Sequence, residues 1–219
     1  VLRSCARTDS PCLLVLARPY HMDPGIGHEI EVDLQAGGYP ILWAQYVPTD
    51  AELMDWIFGD DVRAGRIKSP FDIRDVWPSS YSSNTNEILW GAKFAARVPW
   101  IAGVIRLSSY ECGMDQPTYT PVQQIVERSG PLFFSFQDLD STKPAGSVKI
   151  RVETITHYLE KYARELQKGD LRLADADGRT YRFVSVRFSM LSATPCTRRR
   201  SSIWPGRTST APSFWLRLR

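Results

Sequence analysis

Four short apolar runs, separated by segments with helical features, constrain the fold of this chain more than any other part of its sequence. The runs lie near residues 12–17, 40–45, 101–107 and 131–137. Short runs that are apolar throughout are typical of strands buried on both faces of a parallel sheet. Strands that alternate with helices in this way predict an α/β layer fold with a mainly parallel sheet.

Residues with polar side chains, placed just before the helical segments, predict where the helices begin. Asp23 precedes a proline and is a predicted N-cap, with the helix continuing to a pair of glycines. Asn84 and Thr120 are further predicted N-caps, with Glu87 and Gln123 as their capping-box partners. These helices complete the prediction of a Rossmann-like or flavodoxin-like α/β fold with helices on both faces of the sheet.

A long helix and a small hairpin are predicted towards the C-terminus. Apolar residues spaced by three or four predict the helix, which is expected to end at Gly169. Two short segments, 171–174 and 181–186, flank an Asp-Gly pair and predict an appended hairpin. The apolar stripe of the helix consists of Val148, Val152, Ile155, Leu159, Tyr162 and Leu166.

Composition divides the chain into three parts. Residues 10–169 are the predicted α/β lobe, 170–190 the appended hairpin and 191–219 a disordered or aberrant basic tail. Residues 193–219 hold six arginines but no Asp, Glu or Lys, which fits a frame-shifted end of a GC-rich gene. The chain begins with Val1, which is compatible with a processed chain or a fragment.

The net charge of +3 comes from this tail. The rest of the chain holds 21 basic and 24 acidic residues, so it is mildly acidic and gives no indication of a nucleic-acid interface. No apolar run reaches the length of a membrane span, and no signal peptide is recognisable. We therefore expect neither nucleic acid nor a membrane among the partners of this chain.

The four cysteines are too scattered for a disulfide framework or a regularly spaced zinc site. None belongs to a Cys-x-x-Cys pair, so a reducing, cytoplasmic location is expected. Cys12 lies inside an apolar run, where a small buried residue is expected. Cys112 instead lies in a polar loop beside Gly113, and it is a candidate metal ligand, a candidate nucleophile or an ordinary loop residue.

Three loops follow predicted strands at their carboxyl ends, where ligands of open parallel sheets bind. They begin at Arg18, Ser108 and Gln137. If the strands are parallel, all three loops lie at the same edge of the sheet. Besides Cys112, the candidate ligand-binding residues in these loops are Arg18, Tyr20, His21, Tyr110 and Lys143.

Several of these residues leave alternatives open. Arg18 suits bidentate contact with a phosphate or carboxylate, but a salt bridge to a nearby carboxylate fits its position equally well. His21 and His28 are candidate bases for Cys112, yet hydrogen bonding to the loop is their more common role. The segment 24–28 contains glycines but has neither the spacing nor the lysine of a phosphate-binding loop.

Three segments in series carry a family resemblance. They are Ala-Arg-Pro-Tyr-His-Met-Asp-Pro at 17–24, Leu-Ser-Ser-Tyr-Glu-Cys-Gly-Met-Asp at 107–115 and Ala-Gly-Ser-Val-Lys-Ile-Arg-Val-Glu at 145–153. Together they resemble the 2-hydroxyglutaryl-CoA dehydratase-like proteins, often labelled CoA-substrate-specific enzyme activases. More narrowly, they resemble the C-terminal iron–sulfur part of those chains, which is related to the double-cubane cluster proteins. The resemblance covers residues 10–168.

The resemblance implies a Rossmann-like domain that helps to hold an iron–sulfur cluster, such as a 4Fe–4S cluster, shared with another domain or subunit. Cys112 falls on the cysteine of the family's Cys-Gly loop and is the implied ligand, since such clusters are normally held by cysteine thiolates. The family's other cluster cysteines and its ATPase part have no counterpart here. The implied partners are therefore an ATP-dependent activator, an upstream cluster-binding domain and a CoA-ester substrate.

The expected function is that of one lobe of an iron–sulfur electron-transfer or dehydratase component, inactive alone. In the family, the activator passes electrons to the cluster, which serves the dehydration of 2-hydroxyacyl-CoA or the reduction of small molecules. The alternative is a non-catalytic or truncated α/β module that serves subunit packing or binds a small phosphate or CoA ligand near Arg18.

Overall fold

The computed structural model describes residues 1–2, 4–5, 11–80, 82–98, 100–110, 112–168, 172–174 and 180–182. The predicted tail and the predicted helix end at Gly169 lie outside these residues.

A four-stranded sheet with parallel strands forms the centre of the described part of the chain. Its strands are β1 (Cys12–Leu16), β2 (Ile41–Trp43), β3 (Ile101–Ser109) and β4 (Leu132–Leu139), in the order β2-β1-β3-β4. All three neighbouring pairs are parallel, so the four predicted strands and their direction are confirmed. The five residues of β1 are all buried, as expected for a strand covered on both faces.

Helices and single turns of 3₁₀-helix connect the strands. Helices α1 (Pro24–Gly27) and α2 (Ile30–Ala36) lie between β1 and β2, and α3 (Ala51–Arg63) and α4 (Ser83–Ala95) lie between β2 and β3. Helix α5 (Tyr119–Ser129) precedes β4, and α6 (Ala145–Lys168) follows it. The 3₁₀ turns are Pro19–Met22, Ala44–Tyr46 and Gln116–Thr118, and each lies on the carboxyl side of a strand.

The sheet separates two apolar cores. Leu14 and Leu16 of β1 belong to the core that β1 and β3 form with α3, α4 and α5. Leu13 and Val15 point to the opposite face and belong to the core formed with α2 and α6. Because side chains alternate along a strand, one apolar run serves both cores. Helices on both faces of the sheet are therefore confirmed.

The first predicted helix is wrong in one respect, because two short helices take its place. Asp23 caps α1 as predicted, since its side chain accepts hydrogen bonds from two backbone N–H groups of that helix. His28 and Glu29 then adopt left-handed conformations, with φ of 55° and 52°, and interrupt the helix. The second helix ends at the glycine pair as predicted, with Gly37 as its C-cap.

Two predicted N-caps are also wrong, each by two residues. Helix α4 begins after Ser82, whose hydroxyl accepts a hydrogen bond from the N–H of Thr85 at 3.3 Å, so Asn84 lies inside the helix. Helix α5 continues directly from a 3₁₀ turn, so Thr118 precedes it and Thr120 lies inside it.

Helix α6 and the hairpin agree with the prediction as far as the structure describes them. The first four residues of the predicted apolar stripe of α6 are buried. Strands β5 (Arg172–Ala174) and β6 (Thr180–Arg182) pair in antiparallel fashion, and the turn between them lies outside the described residues. Within the described ranges, no helix has the length and apolar character needed to cross a membrane.

Candidate functional site

The three loops predicted to share one edge of the sheet do meet there. Arg18 Nε in the first loop donates to Asp115 Oδ1 in the second at 2.9 Å. His28 Nε2 lies 2.7 Å from the carbonyl oxygen of Asp140 in the third loop. Because β1, β3 and β4 are parallel, their carboxyl ends lie side by side and bring together loops that are about 100 residues apart in sequence.

A buried ion cluster, which we call the Asp115 cluster (Arg18, Arg106, Ser108 and Asp115), joins two of these loops. Asp115 Oδ1 lies 3.2 Å from Arg106 Nη2 in addition to its bond with Arg18, and Oδ2 accepts from the Ser108 hydroxyl at 2.9 Å. Burial by itself would raise the pKa of Asp115, but Arg106, the Ser108 hydroxyl and Arg18 outweigh burial and lower it. Asp115 is therefore a carboxylate at neutral pH. Of the two alternatives for Arg18, the structure contains the salt bridge.

Arg106 anchors this cluster from within the sheet. It lies in β3, is fully buried, and donates from Nη1 to the carbonyl oxygens of Leu16 at 3.3 Å and Leu107 at 3.0 Å. Its guanidinium carbon lies 5.4 Å from the centre of the Tyr119 ring, a cation–π contact. Neither Arg106 nor Asp115 is among the residues predicted from the sequence. The available signal was an arginine inside an apolar run, since a buried cation requires a partner.

His21 is buried and uncharged. Burial lowers its pKa to about 4, so the ring is neutral at pH 7. Nδ1 lies 3.3 Å from the carbonyl oxygen of Arg18, which can only accept, so Nδ1 carries the proton and donates. Nε2 therefore accepts from the Ser109 hydroxyl at 3.4 Å. Both ring nitrogens are engaged, which favours the hydrogen-bonding role of His21 over that of a base.

The turn at 24–28 depends on a close backbone contact. A Cβ atom added to Gly27 would lie 2.0 Å from the carbonyl oxygen of His21, so a larger residue does not fit. The next residue, His28, adopts a left-handed conformation, and its ring contacts the carbonyl oxygen of Asp140. This glycine therefore serves the packing of the first loop.

Cys112 lies half-buried in the loop that follows β3. Its N–H donates to the carbonyl oxygen of Ser109 at 3.2 Å, and its own carbonyl accepts from the N–H of Asp115 at 3.0 Å. Tyr20, in the first loop, lies close to Ser109 and Cys112. Burial raises the pKa of Tyr20, and the neighbouring Cys112 adds to that rise. Cys112, Tyr20 and Arg18 therefore lie together at the carboxyl edge.

The surface around Cys112 is open and partly apolar. A Cβ atom added to Gly113 would meet no atom within 4 Å. Tyr110 is 70% exposed and Met114 is 57% exposed, while Tyr46, after β2, is 69% exposed. Tyr110 is thus a surface side chain near the thiol.

Lys143 lies in the third loop, but its described contacts stay within that region. It pairs with Asp138, whose other carboxylate oxygen accepts from Arg151 Nη1 of α6 at 2.8 Å. These two cations outweigh burial and lower the pKa of Asp138. The described contacts do not bring Lys143 to Cys112 or to the Asp115 cluster.

At this edge the described residues offer a single thiol to a metal centre. Among them, no group of three or more His, Cys, Asp or Glu side chains is placed to hold a metal ion. Cys5 and Cys12 are buried, and Cys12 begins β1 at the opposite end of that strand. Cys112 therefore fits the role of one ligand of a shared iron–sulfur cluster, while this part of the chain does not fit the role of its sole holder.

The fold and the edge together define an α/β protein with a parallel sheet and a cluster of loops at its carboxyl edge. Comparison with models of protein families gives no match, and neither the curated proteins nor the solved structures include a significant match. The family resemblance therefore stays a prediction from the sequence.

Proposed function

We propose that this chain is one lobe of an iron–sulfur electron-transfer or dehydratase component of the 2-hydroxyacyl-CoA dehydratase type. The observation that carries the proposal is the position of Cys112, half-buried at the carboxyl edge with open space beside Gly113. Ligands of open parallel sheets bind at this edge. The resemblance supports the proposal, because two of its three segments, 17–24 and 107–115, supply loops that are joined there by the Arg18–Asp115 bond.

In this proposal Cys112 supplies one thiolate ligand, and Arg18 and Tyr20 are its neighbours at the carboxyl edge. Arg18 and Tyr20 both interact electrostatically with Cys112. Hydrogen bonds to ligand sulfurs and nearby charge are among the factors that set a cluster's reduction potential. The bound cluster would supply one-electron transfer, while the Asp115 cluster holds the loop that carries the thiol.

The proposal requires partners, because one thiol does not hold a cluster alone. The remaining ligands would come from an upstream cluster-binding domain or another subunit, and electrons from an ATP-dependent activator. The substrate class would be a 2-hydroxyacyl-CoA ester or another small reducible molecule. A reducing cytoplasm is the proposed location.

Ligand exchange tests this proposal without the missing partner. The full chain is titrated under anaerobic conditions with a preformed 4Fe–4S cluster that carries four small external thiolates, and is then desalted. We expect iron and sulfide to elute with the wild-type chain, since Cys112 replaces one external thiolate. They should also elute with Cys196→Ser, a control for the loss of a thiol to which the proposal assigns no role, but not with Cys112→Ser.

Retention of equal iron by wild type and Cys112→Ser would remove Cys112 from the ligand set. A wild-type chain that stays folded and free of iron would favour the alternative, a non-catalytic α/β module that serves subunit packing.

A further inference from the structure

The Asp115 cluster contains one more positive charge than its described residues neutralise. Arg18 and Arg106 both contact Asp115. His21, which lies beside them, adds no charge because burial lowers its pKa to about 4. A buried guanidinium without a counter-charge is strongly disfavoured. The cluster is therefore suited to one further negative charge.

The same region also has more hydrogen-bond donors than acceptors. Nη2 of Arg18, Nε of Arg106 and the hydroxyl of Tyr119 are buried and have no hydrogen-bond partner among the described residues. The three side chains are neighbours, since Arg106 contacts Asp115 and stacks on the Tyr119 ring. A water molecule would satisfy a donor without adding charge, whereas a carboxylate supplies both acceptors and charge.

Arg18 is the charged member of the Asp115 cluster whose side chain is partly exposed, although its Nη2 atom is itself buried. Its side chain is 11% exposed, whereas the side chains of Arg106 and Asp115 are 0% exposed. Its Nε donates to Asp115, which leaves the end-on pair of nitrogens, Nη1 and Nη2, outside that bond. This pair has the spacing that matches the two oxygens of a carboxylate.

We propose that the carboxyl edge binds a small carboxylate ligand through the end-on nitrogens of Arg18, with Arg106 supplying the second positive charge. The choice of a carboxylate follows from the surplus of one charge, because a phosphate monoester carries about −1.5 to −2 at pH 7. This inference concerns an anion bound by the Asp115 cluster, whereas the proposed function concerns the ligand role of Cys112. Carboxylate binding is measured on chain that holds no iron. A failure to bind carboxylate is therefore distinct from a failure of Cys112 to bind the iron–sulfur cluster.

Acetate is the probe for this site, and the full, iron-free chain is the sample. Its binding is measured by saturation-transfer NMR of the acetate methyl group, with ionic strength held constant by chloride. We expect saturable binding to wild type and affinity weaker by about tenfold or more in Arg18→Gln, which loses the charge-assisted bonds. Arg74→Gln is the matched control and should bind as wild type, since Arg74 is an exposed residue paired with Asp72.

Arg18→Lys provides a second variant, because it keeps the charge beside Asp115 but lacks the planar fork. It should bind acetate more weakly than wild type, and it decides the question if circular dichroism shows Arg18→Gln to be unfolded. Absence of saturable acetate binding to wild type, or equal affinity in all folded variants, overturns the proposal. Saturable binding of inorganic phosphate without binding of acetate also overturns it and assigns the site to phosphate groups.

Discussion

Gly27 determines the geometry of the first loop through a single backbone contact. A Cβ atom there would lie 2.0 Å from the carbonyl oxygen of His21. This oxygen belongs to the backbone, so it cannot move away by a side-chain rotation. Gly27→Ala is therefore expected to lower the free energy of unfolding by about 1–3 kcal/mol. Gly113→Ala, the matched control, meets open space and should change it by less than about 0.5 kcal/mol. Urea unfolding measures both, and equal stability of the two variants would contradict this account of the loop.

His21 makes the stability of the fold depend on pH. Its folded-state pKa is about 4, below the value near 6.5 of an unfolded chain. Between these pH values the unfolded state binds a proton that the folded state does not, so the contribution of His21 is fully present above pH 6.5. It is lost as the pH falls towards 4, by up to about 3 kcal/mol.

His21→Gln tests this pH dependence. We expect the variant to lose less stability than wild type between pH 6.5 and 4, because glutamine does not titrate. His157→Gln, which changes an exposed histidine of α6, should retain the wild-type slope. Chemical unfolding at a series of pH values gives the slopes, and identical slopes for wild type and His21→Gln would show that the pKa of His21 is the same in the folded and unfolded states.

Individual site residues were predictable where they follow apolar runs. Arg18, His21 and Cys112 could be assigned to one edge of the sheet because each follows an apolar run that predicts a buried strand. The pairing of Arg18 with Asp115 could not be assigned, because the two residues are 97 positions apart. Which carboxylate reaches Arg18 depends on how β1 and β3 are aligned and on how the second loop turns back.

At the scale of elements, helix α4 holds the irregular segment 64–80 through two side chains, Trp90, whose Nε1 donates to the carbonyl oxygen of Pro70 at 2.9 Å, and the buried amine of Lys93. Lys93 is 1% exposed, and its Nζ donates to the carbonyl oxygen of Asp72 and to Asp75 Oδ1, both at 2.7 Å. Burial lowers the pKa of Lys93, and Asp75 opposes this change. The amine therefore connects two parts of the segment to the helix.

Lys93→Met removes this connection while filling most of the same space. We expect faster amide hydrogen exchange and faster tryptic cleavage within 64–80, because that segment loses two of its hydrogen bonds to α4. Exchange in β1 and β3 should change little. Arg63→Gln is the control, since Arg63 forms exposed pairs on α3. Wild-type exchange of the segment in Lys93→Met would show that other contacts hold it.

The strands and helices could be predicted from the sequence where the local pattern of residues determines them. The strands could be predicted because they coincide with apolar runs. The N-cap of α4 could not, because Ser82 is as suitable a cap as Asn84 and lies two residues earlier. In the helix that begins after Ser82, Thr85 is buried. The interruption at His28 and Glu29 has another cause. It accompanies the contact between Gly27 and the His21 backbone, a tertiary contact that leaves no periodic signal.

At the scale of the whole molecule, the parallel sheet is what brings separate loops to one edge. Its order β2-β1-β3-β4 places β1 and β3 side by side, and the Asp115 cluster joins the loops that follow them. Cys112 is attached to this rigid base by backbone hydrogen bonds to Ser109 and Asp115. The central claim is therefore that this edge presents the Cys112 thiol to a cluster held jointly with another protein surface.

Electron–nuclear double resonance tests that claim at the level of the bond. The full chain is produced with ¹³C at the β-carbon of cysteine, and a 4Fe–4S cluster with unlabelled external thiolates is added under anaerobic conditions and reduced. Only a protein cysteine bound to iron then gives a ¹³C hyperfine coupling. We predict this coupling in wild type and in Cys196→Ser, and its loss in Cys112→Ser. A coupling that persists in Cys112→Ser, or a wild-type cluster without it, would contradict the assignment of Cys112 as the ligand.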